Sequence, residues 1–385
     1  MNLEHLDWPF YDDTHRALGR DLVDWVARQS IPHDDDVDRV CRGWVRALAD
    51  AGYLRHCIPA AYGGTRASLD SRALCVAREA LAYHDALADF AFAMQGLGSG
   101  PITLAGSEAA RARWLPRVAR GDAIAAFALS EPEAGSDALA LSTTAVRDGD
   151  GWRLDGCKTW ISNGGIADFY CVFARTGSQA GASAISAFVV PAQARGLVVA
   201  ERIALIAPHP LARIELDGCG VEADGLLGAV GEGFKLAMRT LDIFRASVAA
   251  AANGFARRAL DEAARHAKRR AMFTKTLGEQ PVAQSMIGEM SARIDASALL
   301  IARAAWKRDV QGIRTTREAA IAKMTATESA QYVIDAALQL HGARGVQAGA
   351  VIEKLYREIR ALRIYEGATE IQRLVIGRDV LKGVH

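Results

Sequence analysis

The apolar residues of this chain change their spacing twice, and that double switch limits what it can fold into. Up to about residue 120 they recur at helical intervals, as Leu18, Leu22 and Val26 do. Pro32, the Pro59 to Gly64 stretch and the Gly96 to Pro101 stretch punctuate this part as loops. The Gly96-Leu-Gly-Ser-Gly100 run follows no strand and fits neither G-x-G-x-x-G nor the Walker pattern, so it reads as a helix terminus. From about 124 to 220 the pattern is that of strands. Trp152 to Gly156 alternates and then reaches an Asp-Gly pair, a hairpin signal. Phe169 to Ala174 and Ile185 to Val190 are rich in aromatic and β-branched residues.

From about 225 the helical period returns in longer stretches. Val282, Met286, Met290, Ile294, Ala298, Ile301 and Ala305 form one stripe. Thr315 and Glu318 have capping-box spacing, and the helix they open runs to His341 and stops at Gly342. The spacing predicts an α+β chain, mainly α. Its parts are an N-terminal helical domain over 1–122, a central antiparallel β-domain over 123–224 and a C-terminal four-helix bundle over 225–385.

Composition excludes several functions. The formal net charge of +1 gives no global field to attract nucleic acid or a membrane surface. The Arg265-His-Ala-Lys-Arg-Arg270 cluster lies in a helical pattern and reads mainly as a solvated face. Asp7, Asp12 and Asp13 stand where a secretory signal would be basic and then apolar, and no uncharged apolar stretch reaches membrane-span length. The cysteines Cys41, Cys57, Cys75, Cys157, Cys171 and Cys219 are scattered without a C-x-x-C pair. They read as reduced thiols of a cytoplasmic protein, and no metal is expected.

The candidate chemistry sits near the end, in Arg363-Ile-Tyr-Glu-Gly-Ala-Thr-Glu-Ile-Gln-Arg373. Glu366 stands beside a glycine, and Thr369 and Gln372 have capping-box spacing, which places the carboxylate in a loop before a helix. Burial beside Ile364 and Tyr365 would raise its pKa and make it a stronger base. Taken alone, the same residue also reads as a surface carboxylate favoured by the helix dipole.

This segment resembles the end of the acyl-CoA dehydrogenase flavoproteins, whose Tyr-Glu-Gly glutamate is the catalytic base. Ala128-Leu-Ser-Glu-Pro-Glu-Ala-Gly-Ser-Asp137 is similar to the family's flavin-contacting segment, and Lys158-Thr-Trp-Ile-Ser-Asn-Gly-Gly165 to its flavin-stacking strand. The three motifs occur in family order, and the likeness covers nearly the whole chain, weakest in roughly the first forty residues. The resemblance implies FAD held between the β-domain and the C-terminal bundle. It implies α,β-dehydrogenation of an acyl-CoA thioester to the trans-2-enoyl product, with Glu366 taking the α-proton and flavin N5 the β-hydride.

The resemblance also assigns roles residue by residue. Leu129, Ser130, Ser136, Trp160, Ile161 and Ser162 would meet the flavin, with Trp160 as aromatic wall and Ser162 near N5, although a strand tryptophan read alone is more often core. Arg270, Phe273, Gln339, Gly342, Thr369 and Glu370 would complete the cofactor site. Ser136, Asp242, Arg245, Tyr365 and Gly367 would lie near the substrate; read alone, Arg245 is as well explained by an internal salt bridge. Phe244, at the position where some members carry their base, accepts no proton, which favours Glu366. Implied partners are an acyl-CoA or acyl-carrier-protein substrate, an electron-transferring flavoprotein and further copies of the chain in a homotetramer, a dimer of dimers.

Four positions depart from the family pattern: Phe273-Thr274 for Phe-Gly, Pro281 for a glutamine, Gly342-Ala343 for Gly-Gly, and Ala368 for threonine. An oxidase of the same fold is the enzymatic alternative. A monooxygenase would lack the Tyr-Glu-Gly base, and a nitroalkane-oxidising relative would carry an aspartate. A DNA-binding relative would need a basic C-terminal region, whereas this chain ends at Val384-His385 with near-zero net charge. The acyl group itself is not legible.

Overall fold

The computed structural model describes residues 1–31, 36–177 and 181–383, so Pro32 and Val384-His385 lie outside the described residues. The helices α1 (Asp13–Ala27), α2 (Val37–Asp50), α3 (Ser71–His84), α4 (Ala86–Ala105) and α5 (Glu108–Ala119) come first. Strands β1 (Ala125–Ala128), β2 (Thr144–Asp148), β3 (Gly151–Ser162), β4 (Phe169–Arg175), β5 (Ile185–Pro191), β6 (Leu197–Arg202), β7 (Leu211–Val221) and β8 (Leu226–Leu227) follow. The chain continues with α6 (Gly233–Arg269), the short strands β9 (Ala271–Met272) and β10 (Lys275–Thr276), α7 (Pro281–Gln311), α8 (Thr316–His341), α9 (Val351–Leu362) and α10 (Thr369–Lys382). The fold is thus α+β and mainly helical, with helical ends and a β middle.

The chain divides into two compact units. One comprises Met1–Gln29, Ser71–Asp89 and Arg245–His385. Its core is built from small side chains. Ala249, Ala250, Ala251 and Ala252 of α6 are fully buried with Phe255, against Met290, Ile294 and Ile301 of α7, Ala322, Ala326 and Val333 of α8, and Ile352 and Ile359 of α9. Alanine costs no side-chain entropy in a helix and lets axes approach closely. The stripe expected on α7 is buried from Met290 to Ala305, but Val282, in the first turn, is 72% exposed. The first turn of α3 is capped from far along the chain, since Asp309 of α7 accepts from the Ser71 and Arg72 amides at 3.0 and 2.8 Å.

The other unit comprises Ser30–Asp70 and Phe90–Phe244. Its sheet runs β6-β7-β3-β2-β4-β5-β8, with β1 pairing β4 in parallel and most neighbours antiparallel. Trp152, Leu154, Ile161, Tyr170, Val172 and Phe188 form its core.

Three local expectations are corrected. Gly96 to Pro101 is no loop: α4 runs through it, with Pro101 inside the helix. The glycines serve close packing instead. A Cβ at Gly98 would lie 2.7 Å from Ala125 Cβ and 2.8 Å from the Ala125–Ala126 backbone, and one at Gly96 2.7 Å from Phe244 Cε1. Asp155-Gly156 is no hairpin turn either. β3 continues through it with a register shift between Leu154 and Gly156, and the chain turns at Gly149 between β2 and β3. Gly156 has φ +152°, and a Cβ there would meet Thr143 Oγ1 at 2.5 Å, so glycine marks a bulge. Finally, Thr315 makes no side-chain cap bond, and Glu318 turns to Lys307 instead of back to the Thr315 amide. Helix α8 nonetheless spans the expected stretch and ends at Gly342, with φ +57°.

Gly98→Ala should lower stability by about 1–3 kcal/mol, because its contacts are backbone and cannot rotate away. Gly288→Ala on α7, with nothing within 4 Å of the new methyl, should raise it by roughly 0.5–1 kcal/mol. Thermal midpoints of the two variants against the parent check both signs.

Candidate active site

The six residues between α9 and α10, together with Thr369 at the start of α10, form a closed loop. The Thr369 amide donates to the Arg363 carbonyl at 3.1 Å. Glu328 of α8 brackets both ends: Arg363 Nε donates to its Oε1 at 2.9 Å and Thr369 Oγ1 to the same oxygen at 2.7 Å. Thr369 is therefore engaged with Glu328 and caps nothing, so the capping box expected with Gln372 does not form. Gln372 turns inward, its Nε2 donating to the Glu366 and Gly367 carbonyls at 3.2 and 2.8 Å.

Inside this ring the backbone takes two left-handed steps, Glu366 at φ +52° and Gly367 at φ +91°. For glutamate that conformation is strained, and residues held so cluster at functional sites. The strain is held by donors aimed at the carbonyls. Arg245 Nε reaches the Glu366 oxygen at 3.3 Å, and Lys323 Nζ the Gly367 oxygen at 2.8 Å. Glu366 Oε2 is buried, and among the described residues nothing donates to it. A buried acceptor left open is rare in native proteins and marks a catalytic candidate.

Charge around this oxygen is balanced. Burial raises the Glu366 pKa, the guanidiniums of Arg78 and Arg245 and the Lys323 ammonium pull it down, and Asp89 adds to the rise; the net shift is upward. Arg78 itself is fully committed. Its Nε and Nη2 donate to the two Asp89 oxygens at 2.8 Å each, and its Nη1 to Ser247 Oγ at 3.2 Å, all buried. Burial works against the Arg78 charge, and Asp89 more than restores it. Ile364 and Tyr365, expected to bury the carboxylate, are themselves 57% and 37% exposed.

The β-rich unit carries the other two motifs. Thr159 N donates to the Ser130 carbonyl at 3.0 Å, which ties the segment around Leu129 and Ser130 to β3. Beneath it, buried Lys158 Nζ donates to Glu131 Oε1 at 2.7 Å and to the Leu129 carbonyl at 3.1 Å. Glu131 also accepts from the Ser142 and Thr143 amides at 2.6 and 3.0 Å. Burial opposes its charge, but Lys158 and these donors win and hold the carboxyl at about 2.

The β3–β7 ladder slips between Lys158 and Ile161. Trp160 sits in that bulge at φ +59° and is 58% exposed, while Ile161 turns into the core, so only its backbone is available to a ligand. Bulges re-aim side chains, and here an indole is presented to the outside on strained backbone. Ser162 is half-buried beside it, and Ser136 is exposed in the loop after Glu131.

The remaining sequence candidates are spread over both units. Arg270, Phe273, Gln339, Gly342 and Glu370 are exposed in the helical unit, and Asp242 is buried in the β-rich one. Phe273 and Thr274 form the two-residue turn between β9 and β10, at φ +48° and +66°. Such turns favour Asn-Gly, yet an 80% exposed phenylalanine occupies the first position. In the β-rich unit, the outward indole of Trp160 on left-handed backbone fits a large planar cofactor. Sequence reasoning missed Arg78, Asp89 and Lys323; the available signal was a charged residue on a helix face otherwise buried. Among the described residues no three His, Cys, Asp or Glu side chains are arranged to hold a metal.

Fold and site together define a flavin-dependent oxidoreductase. Family models of the acyl-CoA dehydrogenase N-terminal, middle and C-terminal domains match residues 12–122, 126–219 and 231–381. The chain is 34% identical to a 3-(aryl)acrylate reductase of Clostridium sporogenes, over 97% of this chain and 100% of that one. It is 35% identical to the human mitochondrial short-chain specific acyl-CoA dehydrogenase, over 96% and 90% respectively. A Bacillus anthracis acyl-CoA dehydrogenase solved with FAD superposes with a TM-score of 0.90 at 26% identity, covering 99% of this chain and 69% of that one. The chain belongs to the acyl-CoA dehydrogenase family, and its cofactor is FAD.

Arg78→Met should leave Asp89 buried without a partner and destabilise the protein by about 3–5 kcal/mol. Arg78→Met with Asp89→Leu should recover most of that loss. Thermal denaturation of the single and double variants decides it.

Proposed function

We propose that this enzyme dehydrogenates an acyl-CoA thioester between the α and β carbons, with Glu366 as the base. The observation that carries the reading is the open, buried Oε2 of Glu366, on a left-handed backbone and with a raised pKa. An α-C–H bond is weakly acidic, so the base must be strong and fixed. Burial supplies strength, and the clamped loop supplies position. The α-proton passes to the Glu366 carboxylate while, as the resemblance implies, its backbone N–H polarises the thioester oxygen. FAD, when bound, supplies the two-electron acceptor for the β-C–H bond. Trp160 would pack on the flavin, Leu129, Ser130, Ser136, Ile161 and Ser162 would contact it, and Arg270, Phe273, Gln339, Gly342, Thr369 and Glu370 would hold the rest of the cofactor. Asp242, Arg245, Tyr365 and Gly367 would border the substrate.

The likeness to a 3-(aryl)acrylate reductase supports a second direction, in which protonated Glu366 would return its proton to the α-carbon of an unsaturated acyl group while reduced FAD, when bound, would supply the hydride to the β-carbon. In the forward direction the electrons leave to an electron-transferring flavoprotein. The resemblance implies a homotetramer, which could cover exposed apolar side chains such as Val282, Leu374 and Leu381. The division at 122 and 224 into three domains is part of the same reading. Six cysteines without a disulfide support a cytoplasmic location.

Anaerobic titration of the FAD-loaded protein with saturated acyl-CoA thioesters, followed by flavin absorbance, tests the function. Bleaching is the expected result. Silence toward every saturated thioester, with reoxidation of reduced enzyme by an enoyl partner, would assign the reverse direction. Glu366→Gln should retain FAD and lose flavin reduction by on the order of 10² to 10⁴-fold; an unchanged rate overturns the base. The raised pKa sets the sign of the pH dependence. Reduction should fall as pH drops through a value above the ordinary carboxylate range, because the protonated form accepts no proton. Trp160→Ala should lower flavin content and alter its spectrum, and unchanged values would remove the stacking role.

A further inference from the structure

We infer that Lys323 is a positioning residue for Glu366: its ammonium anchors the Gly367 carbonyl and, as a fixed positive charge beside the loop, keeps the base ionisable. The inference rests on reading Glu366 as the base.

Lys323 is among the largest fully buried side chains of the molecule. It lies on α8 in the run Ala319-Ala320-Ile321-Ala322-Lys323, where a lysine interrupts an apolar face. A buried ammonium without compensation is costly, so its retention there calls for a use. Its Nζ donates to Gly367 O at 2.8 Å. That carbonyl belongs to the second of the two left-handed residues, so the bond holds the Gly367–Ala368 peptide unit and with it the glycine that directly follows Glu366. Glu328, five positions further along α8, holds Arg363 and Thr369 at the two ends of the same loop. One helix therefore supplies both the frame and the central tether of the base loop.

The charges bearing on Lys323 come from each side. Glu366 and Glu370 lie on the loop and α10, Arg245 on α6, and Glu328 on α8 itself. Burial lowers its pKa to about 8, against the pull of Glu366, so at neutral pH it remains mostly a cation. Lys323 is one of the three cations that counter the effect of burial on Glu366. Unlike Arg78, which is engaged with Asp89, it donates to the base loop.

Three variants separate tether from charge. Lys323→Gln retains a donor without the charge, Lys323→Arg retains both in altered geometry, and Lys323→Met removes both. Lys323→Met should slow single-turnover flavin reduction by on the order of 10- to 100-fold and move its acid limb to higher pH, with FAD content unchanged. Lys323→Gln should move the limb the same way with a smaller rate loss, and Lys323→Arg should bring the limb back toward the parent.

Two readouts need no turnover. The Glu366 carboxyl band in infrared difference spectra, identified against Glu366→Gln, should titrate at higher pH in the Gln and Met variants. Amide hydrogen exchange over 363–369 should accelerate in the Met variant. An unmoved band and unchanged exchange in both neutral variants would overturn the role of Lys323, even if all of them are slow. If instead Glu366→Gln reduces flavin as fast as the parent, the base reading fails, while the band and the exchange still report whether Lys323 holds the loop.

Discussion

The helical unit depends on a buried carboxylate that stays available to a proton. Desolvation alone would drive Glu366 fully to its neutral form, and ion pairing alone would make it an ordinary weak base. The unit steers between these limits by burying several charges at once: Arg78, Asp89, Arg245 and Lys323. Each has partners elsewhere, in the Arg78–Asp89 fork, in the Lys323 and Arg245 bonds to loop carbonyls. The cations therefore act on the Glu366 carboxylate through space, and its Oε2 is left open. The alanine-rich core of α6 and α8 belongs to the same solution, because thin side chains bring helix axes close enough for buried charges on separate helices to reach one loop.

The β-rich unit meets an analogous problem with the opposite emphasis. Its buried pair, Lys158 and Glu131, is satisfied by amides and a hydroxyl and so is inert; its effect is mechanical. It fastens the loop carrying Leu129 and Ser130 to β3 at the point where the ladder slips and Trp160 leaves the plane. Left-handed backbone at Trp160 and again at Asn163 is unfavourable in isolation. Asn163 is secured by its Nδ2 bond to the Ala125 carbonyl at 2.9 Å and its amide bond to the Pro210 carbonyl at 2.8 Å. Strain at the exposed indole is thus held by satisfied polar groups behind it.

What could be read in the sequence follows from the range of the forces involved. The continuous apolar run from Phe169 to Ala174, buried on both faces, and period 3.6 at Met290 to Ala305 were legible because burial writes itself into consecutive residues. Glu366 and Trp160 were legible through whole motifs, not through any property of glutamate or tryptophan alone. Gly96 to Pro101 misled because glycine and proline are local breakers, whereas here Ala125 and Phe244 demand small residues on a continuous helix. The capping boxes at Thr315 and Thr369 misled because their members found better partners in Lys307 and Glu328. Arg78, Asp89 and Lys323 left only the trace of a charge on an apolar face. Their meaning arises from pairings across 11 residues for Arg78–Asp89 and 44 for Lys323–Gly367, which no local window contains.

The base loop shows why such distant pairings are worth their cost in entropy. Ordering seven residues costs roughly 1–2 kcal/mol each, and a loop tethered only at its ends would leave the carboxylate free to wander. Here the ends are closed by the Thr369–Arg363 bond and by Glu328, and the middle by Gln372, Arg245 and Lys323. The cost is met on folding, before any substrate arrives. What remains uncommitted in the loop is Oε2 of Glu366, the atom that must approach a carbon-bound proton. A helix start without a side-chain cap, at Ala368, is tolerable in this arrangement, because the residues that would have capped it are used to hold the base.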